Sequence, residues 1–341
     1  MDPRDKPGDD KGDGDGSGTK VQFKPMLQII ARRLAQMIAI MITVSLILFV
    51  IFDSDTFKKT IAVHELGGYA VATLSDSDYQ SWLDKKGLNV PAPQRYVNWI
   101  TGIFHGDLGQ SYLKNEPVST LLLERLRATG ILAFWVFALM VPTSLVFGVL
   151  SGMREGSKLD RALSITAVFT TSIPEIATGI ILSVIFSLGL GWLPSKSPMS
   201  SGFDGWQLVL PVLTLFLYDF GYVARMTRAS MAEVMQSQYI RTAVLKGLPF
   251  WRVILTHALR NALIAPFTVI ILQLNWLLSG VVVTEYFFEY HGFGKMLLDA
   301  ALGSDIYVIQ AATLAAVALA VLTQLISDIG YMVLNPRIRF G

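Results

Sequence analysis

The sequence predicts an all-α polytopic membrane protein with six transmembrane helices, and three observations carry that reading. Hydrophobic residues are 52% of the 341 and charged residues only 16%, with a mean hydropathy of +0.49, whereas about a quarter of a soluble domain is charged. The apolar residues gather into six runs, four of them uncharged and near the roughly 20 residues that about 30 Å of hydrocarbon requires. Between two such runs lies Gln238 to Pro266, QYIRTAVLKGLPFWRVILTHALRNALIAP, a polar insert with helical patterning.

Residues 1 to 20, MDPRDKPGDDKGDGDGSGTK, hold almost no apolar side chain and cannot bury surface, so a disordered tail is expected over 1–24. Its GDGDGSGTK stretch follows no apolar strand, and G-x-x-x-x-G-K-[ST] occurs nowhere in the chain, so no phosphate loop is present. Leu34 to Phe52 is an uninterrupted span without a small-residue cleavage site, which makes it a retained helix rather than a removed signal peptide. The loop 53–128 is too short for a robust separate domain. It carries Tyr79, Trp82, Tyr96, Trp99, Phe104 and Tyr112, and is expected to pack as a cap on the outer membrane face. Together 25–128 form one unit, the first span and its loop, and 129–341 form a five-helix core.

Within that core Ile131 to Leu150 is a plain apolar span. Ala162 to Leu190 is long enough but contains Pro174 and Glu175, and Gly205 to Ala224 contains Pro211 and Asp219. Ala262 to Val283 and Ile306 to Ile326 complete the six. The insert between the fourth and fifth spans, within a loop over 226–262, reads as helix, turn, helix. Ile240, Ala243, Val244 and Gly247 recur at i, i+3, i+4 and i+7, one face of a short helix. Gly247 and Pro249 then stop it, glycine just past a helix end and proline opening the next element. On pattern alone, a basic amphipathic loop lying on the membrane surface is the equal alternative.

Lys196 and Lys295 are the only basic residues in the two short outer loops, while lysine and arginine concentrate before the first span and in the insert. The positive-inside bias therefore places both termini and the insert in the cytoplasm. The net charge of +2 is spread along the chain rather than gathered into a patch, which excludes a nucleic-acid footprint. Absence of cysteine excludes disulfides and thiolate metal sites, and His64, His105, His257 and His291 have no metal-ligand spacing. The cap has to hold its shape without covalent staples.

Several stretches in order resemble one family. Arg241-Thr242-Ala243, three residues, then Gly247 has the spacing of the EAA loop of binding-protein-dependent ABC importer permeases, and YIRTAVLKGLPFWRVILTHALRNAL resembles the cytoplasmic loop of the oligopeptide, dipeptide and nickel permeases. So do Arg32-Arg33-Leu34, RYVNWITGIFHGDLGQSY at 95–112, GSKLDRAL at 156–163, LGWLP at 190–194, YVARMTRASMAEV at 222–234 and NPRIR at 335–339. The resemblance implies a type I ABC importer transmembrane domain with cytoplasmic termini in a bacterial inner membrane. It implies a second homologous permease as heterodimer partner, two ATPase subunits and a periplasmic binding protein, with ATP and Mg held by the ATPases and no cofactor in this chain. It places the ATPase-coupling contact at Tyr239, Ile240, Arg241, Thr242, Ala243, Lys246, Gly247 and Leu248, where small Ala243 and Gly247 suit close approach and Arg241 and Lys246 suit rim ion pairs. Exposed ion pairs contribute only about 0–1 kcal/mol, so both charges also read as simply solvated.

The chain departs from that family at Glu175, at His291 of HGFGK where the family has proline, and at Ala265, which separates Ile264 from Pro266. A carboxylate deep in a span is costly unless paired, wet or protonated, so Glu175 either lines the solute path and favours a cationic group or pairs with a basic residue of the partner permease. Asp219 and Asp328, near the cytoplasmic ends of their spans, are expected to partner nearby arginines. Gln273, Asn275 and Ser279 surround Trp276 in the most apolar part of the chain, and either bond across helices or line a wet path. A secondary transporter needs ion-coupling acids in several spans and paired broken helices, and a channel has no use for the insert. Within the importer class peptides lead as solute, with nickel chelates, glutathione or oligosaccharides as alternatives.

Overall fold

The structure, a computed structural model, describes residues 23–199, 202–278 and 281–334. Most of the expected tail over 1–24, Ser279 and the NPRIR ending lie outside the described residues. The fold is all-α. Helix α1 (Phe23–Phe52) leads into four short helices, α2 (Asp55–Leu66), α3 (Gly68–Thr73), α4 (Asp76–Lys85) and α5 (Ala92–Phe104). Then come α6 (Val118–Gly152), α7 (Lys158–Ser172), α8 (Glu175–Leu182, continued by a π-helical turn over Ser183–Gly189) and α9 (Gly205–Met235). The insert forms α10 (Gln238–Leu245) and α11 (Phe250–Arg252), followed by a second π-helical turn (Val253–Ala258) and α12 (Leu259–Ala262). Helices α13 (Ile264–Leu278), α14 (Val282–Phe287), α15 (Phe293–Leu302) and α16 (Ile306–Leu334) complete the chain.

Helices α1, α6, α9 and α16 are long and apolar enough to cross a membrane. Each of two bent pairs, Lys158–Ser172 with Glu175–Gly189 and Phe250–Ala262 with Ile264–Leu277, has the length and composition of one further span. The third span, expected over 162–190 with Pro174 and Glu175 inside it, is broken at that proline. It turns by 100° at Ile173–Pro174, because the residue before a proline is pushed from helical to extended backbone and Ile173 sits at φ −90°, ψ 126°. The fifth bends by 50° at Leu263, its described helix covers Ile264–Leu278, and a separate helix begins at Val282. Helix α6 starts 13 residues earlier than the apolar run at 131, since its first turns pack Val118 and Leu121 against Phe293 and Met296 of α15.

Pro211 does not break α9. A helical proline frees the carbonyl four residues back, here Gln207 O, and the Ser197 hydroxyl donates to it. The core is the α6–α9 pair, with α7 on α9, α13 against both, and α16 against α13 and α1. Small residues permit the approach. A methyl on Gly148 of α6 would lie 2.3 Å from Thr227 of α9, and one on Gly221 of α9 would lie 2.1 Å from the Ala167 carbonyl of α7.

Segment 53–128 packs on the ends of α1 and α16. Tyr96 stacks edge-on to Phe49 at 5.3 Å and shares a 2.8 Å hydrogen bond with Ser45, Arg95 pairs with Asp53, and Tyr112 meets Tyr307 at 5.5 Å. Buried Asp305 accepts from the Ser111 hydroxyl at 2.6 Å and the Leu113 amide at 3.2 Å. At the other end of the bundle Arg33 of α1 pairs with Asp328 of α16 at 2.5 Å, as the arginine reading of Asp328 expects.

Candidate functional site

Two constellations concentrate the chemistry: the α10–α11 unit, and a cavity midway along α9. Helix α10 ends as its sequence dictates. Lys246 N–H donates to Thr242 O at 3.0 Å and Gly247 N–H to Val244 O at 2.9 Å, with Gly247 at φ +75°, the left-handed position that favours glycine. Nothing in the chain lies within 4 Å of a methyl placed there, so within the chain the glycine serves the turn.

The apolar stripe of α10 is used inside the chain. Ile240 and Ala243, 2% and 7% exposed, pack with Met231, Val253, Ile254, Ala258 and Ala262, and Leu248 lies against the same cluster. Tyr239 OH accepts from Asn261 Nδ2 at 2.9 Å. The outward face holds Arg241, Thr242, Val244 and Lys246 with Leu245, 78% exposed. Beside it stand exposed Phe250 and Trp251, the latter 60% exposed with the Arg252 guanidinium 5.6 Å from its ring centre. Sequence periodicity found the helix, and the resemblance placed Ala243 and Gly247 at an external contact; in the structure Ala243 packs inside the chain and anchors α10, while Gly247 and the bulky residues are exposed.

A charge cluster that sequence reading left unpaired stiffens the base of this unit. Asp160, at the start of α7, accepts from Arg228 Nε and Nη2, both at 2.8 Å, from the Gly156 amide at 2.9 Å and from the Ser151 hydroxyl. Glu155 adds a 3.5 Å contact to Arg228 and takes Gln236 Nε2 at 3.0 Å. The bidentate fork fixes the α6–α7 turn on α9 with geometry a lysine cannot reproduce.

The cavity is about 420 Å³ and is lined by Thr171, Tyr218, Asp219, Tyr222, Arg225, Gln273 and Trp276. Residues 218, 222 and 225 follow helical spacing along one face of α9, and 273 and 276 do so on α13. Asp219 is 0% exposed and receives the Gln273 side-chain amide on Oδ1, while Oδ2 has no hydrogen-bond partner. The arginine partner expected for Asp219 is thus replaced by an amide from the facing helix. The rings of Tyr218 and Trp276 lie 5.7 Å apart.

Of the residues expected along a path, Gln273 and Trp276 line this cavity, Asn275 does not and buries an unpartnered Oδ1, and Ser279 falls outside the described residues. Glu175 is the first residue of α8, just past the bend, and accepts a hydrogen bond from the Thr284 hydroxyl of α14. It is not among the residues that line the cavity.

At HGFGK the chain closes around Glu285, which is wholly buried. Thr129 donates to its Oε1 at 2.5 Å, Lys295 N–H to its Oε2 at 2.9 Å, and Phe293 N–H to the Thr129 hydroxyl at 2.8 Å. A methyl on Gly292 would stand 2.1 Å from Glu285 Oε1. His291, where the resembled family has proline, leaves this turn intact, with Arg125 donating to its carbonyl at 3.1 Å. Burial, then the positive charges of Arg125, Lys295 and Lys114, holds the His291 imidazole below its ordinary range.

Residues 144–340, which carry α9, the α10–α11 unit and the cavity, match the family of binding-protein-dependent transport system inner membrane components. The chain belongs to this family. It is therefore the permease component of an ABC importer and a multi-pass membrane protein. It is 35% identical over 274 residues to the oligopeptide transport system permease protein AppB of Bacillus subtilis, covering 78% of this chain and 87% of AppB. It is 37% identical over 255 residues to the glutathione transport system permease protein GsiC of Pectobacterium atrosepticum, covering 74% and 82%. A chain of the MetNI methionine ABC transporter in an inward-facing conformation superposes with a TM-score of 0.50 at 18% identity, covering 63% of this chain and 94% of that one. That likeness places the fold among ABC importer transmembrane domains.

Proposed function

We propose that this permease, paired with a second homologous permease in a bacterial inner membrane, forms the pathway of a peptide importer. Two separate ATPase subunits drive it, holding the ATP and Mg, and a periplasmic binding protein delivers solute. The observation that carries the coupling half of this reading is the outward face of α10–α11, where Val244, Leu245, Phe250 and Trp251 are exposed on a unit locked to the chain by Ile240 and Ala243. Such a patch, rimmed by Arg241, Lys246 and Arg252, is the anatomy of a protein contact rather than of a solvated turn. The peptide half rests on the resemblance to permeases named for oligopeptides and glutathione.

The mechanism follows from rigidity. ATP binding closes the ATPases, and each cleft carries the α10–α11 unit seated in it. Because the unit packs on Met231 and the Asp160–Arg228 pair clamps the same part of α9, displacement passes along α9. From Met235 to Asp219 is roughly 24 Å at 1.5 Å per residue, so movement at the cytoplasmic end is felt at the cavity wall. Hydrolysis resets the helices.

The test is reconstitution of this chain with its partner permease, ATPases and binding protein in proteoliposomes. Uptake of a labelled dipeptide is expected to need ATP and binding protein together. Uptake without ATP contradicts the coupling, and uptake of an oligosaccharide or nickel chelate in place of peptide contradicts the solute.

A further inference from the structure

We infer that the cavity between α9 and α13 binds an organic ammonium group, with Asp219 as counter-charge and Tyr218, Tyr222 and Trp276 as its aromatic walls. The inference deepens the peptide-import reading and rests on it for its choice of ligand, the free amino terminus of a short peptide.

The chemistry is set by what Asp219 lacks. Its side chain is 0% exposed, Gln273 uses Oδ1, and Oδ2 has no donor. A carboxylate inside a membrane protein normally finds a cation or faces a wet path. Here Gln273 holds the carboxylate in place without neutralising it. Arg225 lines the same cavity, roughly 9 Å along the helix axis at 1.5 Å per residue. It leaves Oδ2 unpartnered, and its own positive charge suits the carboxylate end of a zwitterion.

The walls select the kind of cation. Tyr218 and Trp276 lie 5.7 Å apart with planes inclined at 31°, and Tyr222 is one turn further along α9. Aromatic faces attract ammonium groups and accept the apolar carbon beside them, whereas a hydrated metal ion calls for several oxygen ligands, of which a single carboxylate supplies few. About 420 Å³ lies within the range of small-molecule sites.

The test uses the assembled importer in lipid nanodiscs without binding protein, with alanyl-alanine and N-acetyl-alanyl-alanine as probes. The free amine is expected to bind at least about tenfold tighter than the acetylated probe, and Asp219→Asn to abolish that preference. Trp276→Leu, at a partly exposed wall, is expected to reduce it by up to roughly tenfold while the complex assembles. Equal binding of the two probes by the wild type overturns the inference, as does an unchanged preference in Asp219→Asn. Should Asp219→Asn fail to assemble, an unchanged preference in Trp276→Leu overturns it. A wild-type complex that prefers the free amine yet carries no peptide in the ATP-driven assay keeps the ammonium site and removes the peptide reading.

Discussion

At Gly221 a single hydrogen atom decides whether two helices meet. A methyl there would stand 2.1 Å from the Ala167 backbone carbonyl, which cannot swing aside, and 2.6 Å from Thr170 Oγ1. Gly221→Val is expected to destabilise the chain by about 1–3 kcal/mol through overpacking, read as a lowered unfolding temperature of the purified protein in detergent. Glu285 works by polarity instead. Glu285→Ala leaves the Thr129 hydroxyl and the Lys295 amide without their acceptor, at about 1–3 kcal/mol for each buried group, and is expected to expose the 288–292 turn to protease while the spans stay intact. At this scale the sequence was partly legible. Asp328 announced an arginine partner because charge in an apolar run demands one, and Arg33 supplies it. Asp219 obeyed the same demand by another route, through an amide on a helix more than fifty residues away, which no local pattern encodes.

Among the elements, α10 separates what periodicity gives from what it withholds. The i, i+3, i+4 spacing and the Gly247–Pro249 stop fixed the helix and its end, but an apolar stripe does not say whether its partner is the same chain or another. Ala243 lies against the chain's own Ile254 and Ala258 cluster. Ala243→Glu is therefore expected to bury an unpaired charge and loosen α10 from its base, at about 3–5 kcal/mol. Hydrogen exchange should show faster opening of α10 and of the Val253–Ala258 turn in the isolated chain, with no ATPase present. The bend at Pro174 was foreshadowed by proline's effect on the preceding residue, though not its 100° size, which depends on where α8 packs. The break at Leu263 falls where Pro266 unpairs the chain, since proline has no N–H for the Ala262 carbonyl four residues back and is tolerated in the first turn of α13.

For the whole molecule, hydropathy identified the order of the apolar segments, four of them single helices and two of them bent pairs, because the bilayer sets their length, while helix pairings and the cavity arise from contacts distant in sequence. The orientation proposed from basic residues has a direct check, because the natural chain contains no cysteine. Single cysteines at exposed Leu245 and Lys114 are expected to react with impermeant maleimide from opposite sides, Leu245→Cys only in inside-out vesicles and Lys114→Cys only in right-side-out ones. The central claim is that the outward face of α10–α11 receives the stroke of separate ATPases, and Leu245→Glu tests it most directly. Leu245 is 78% exposed, so the substitution spares the fold but places a charge in the proposed contact. In the reconstituted importer it is expected to abolish both ATP-driven uptake and the stimulation of ATPase activity by loaded binding protein, with unchanged insertion and thermal stability of the chain. Wild-type uptake with intact stimulation would contradict the claim.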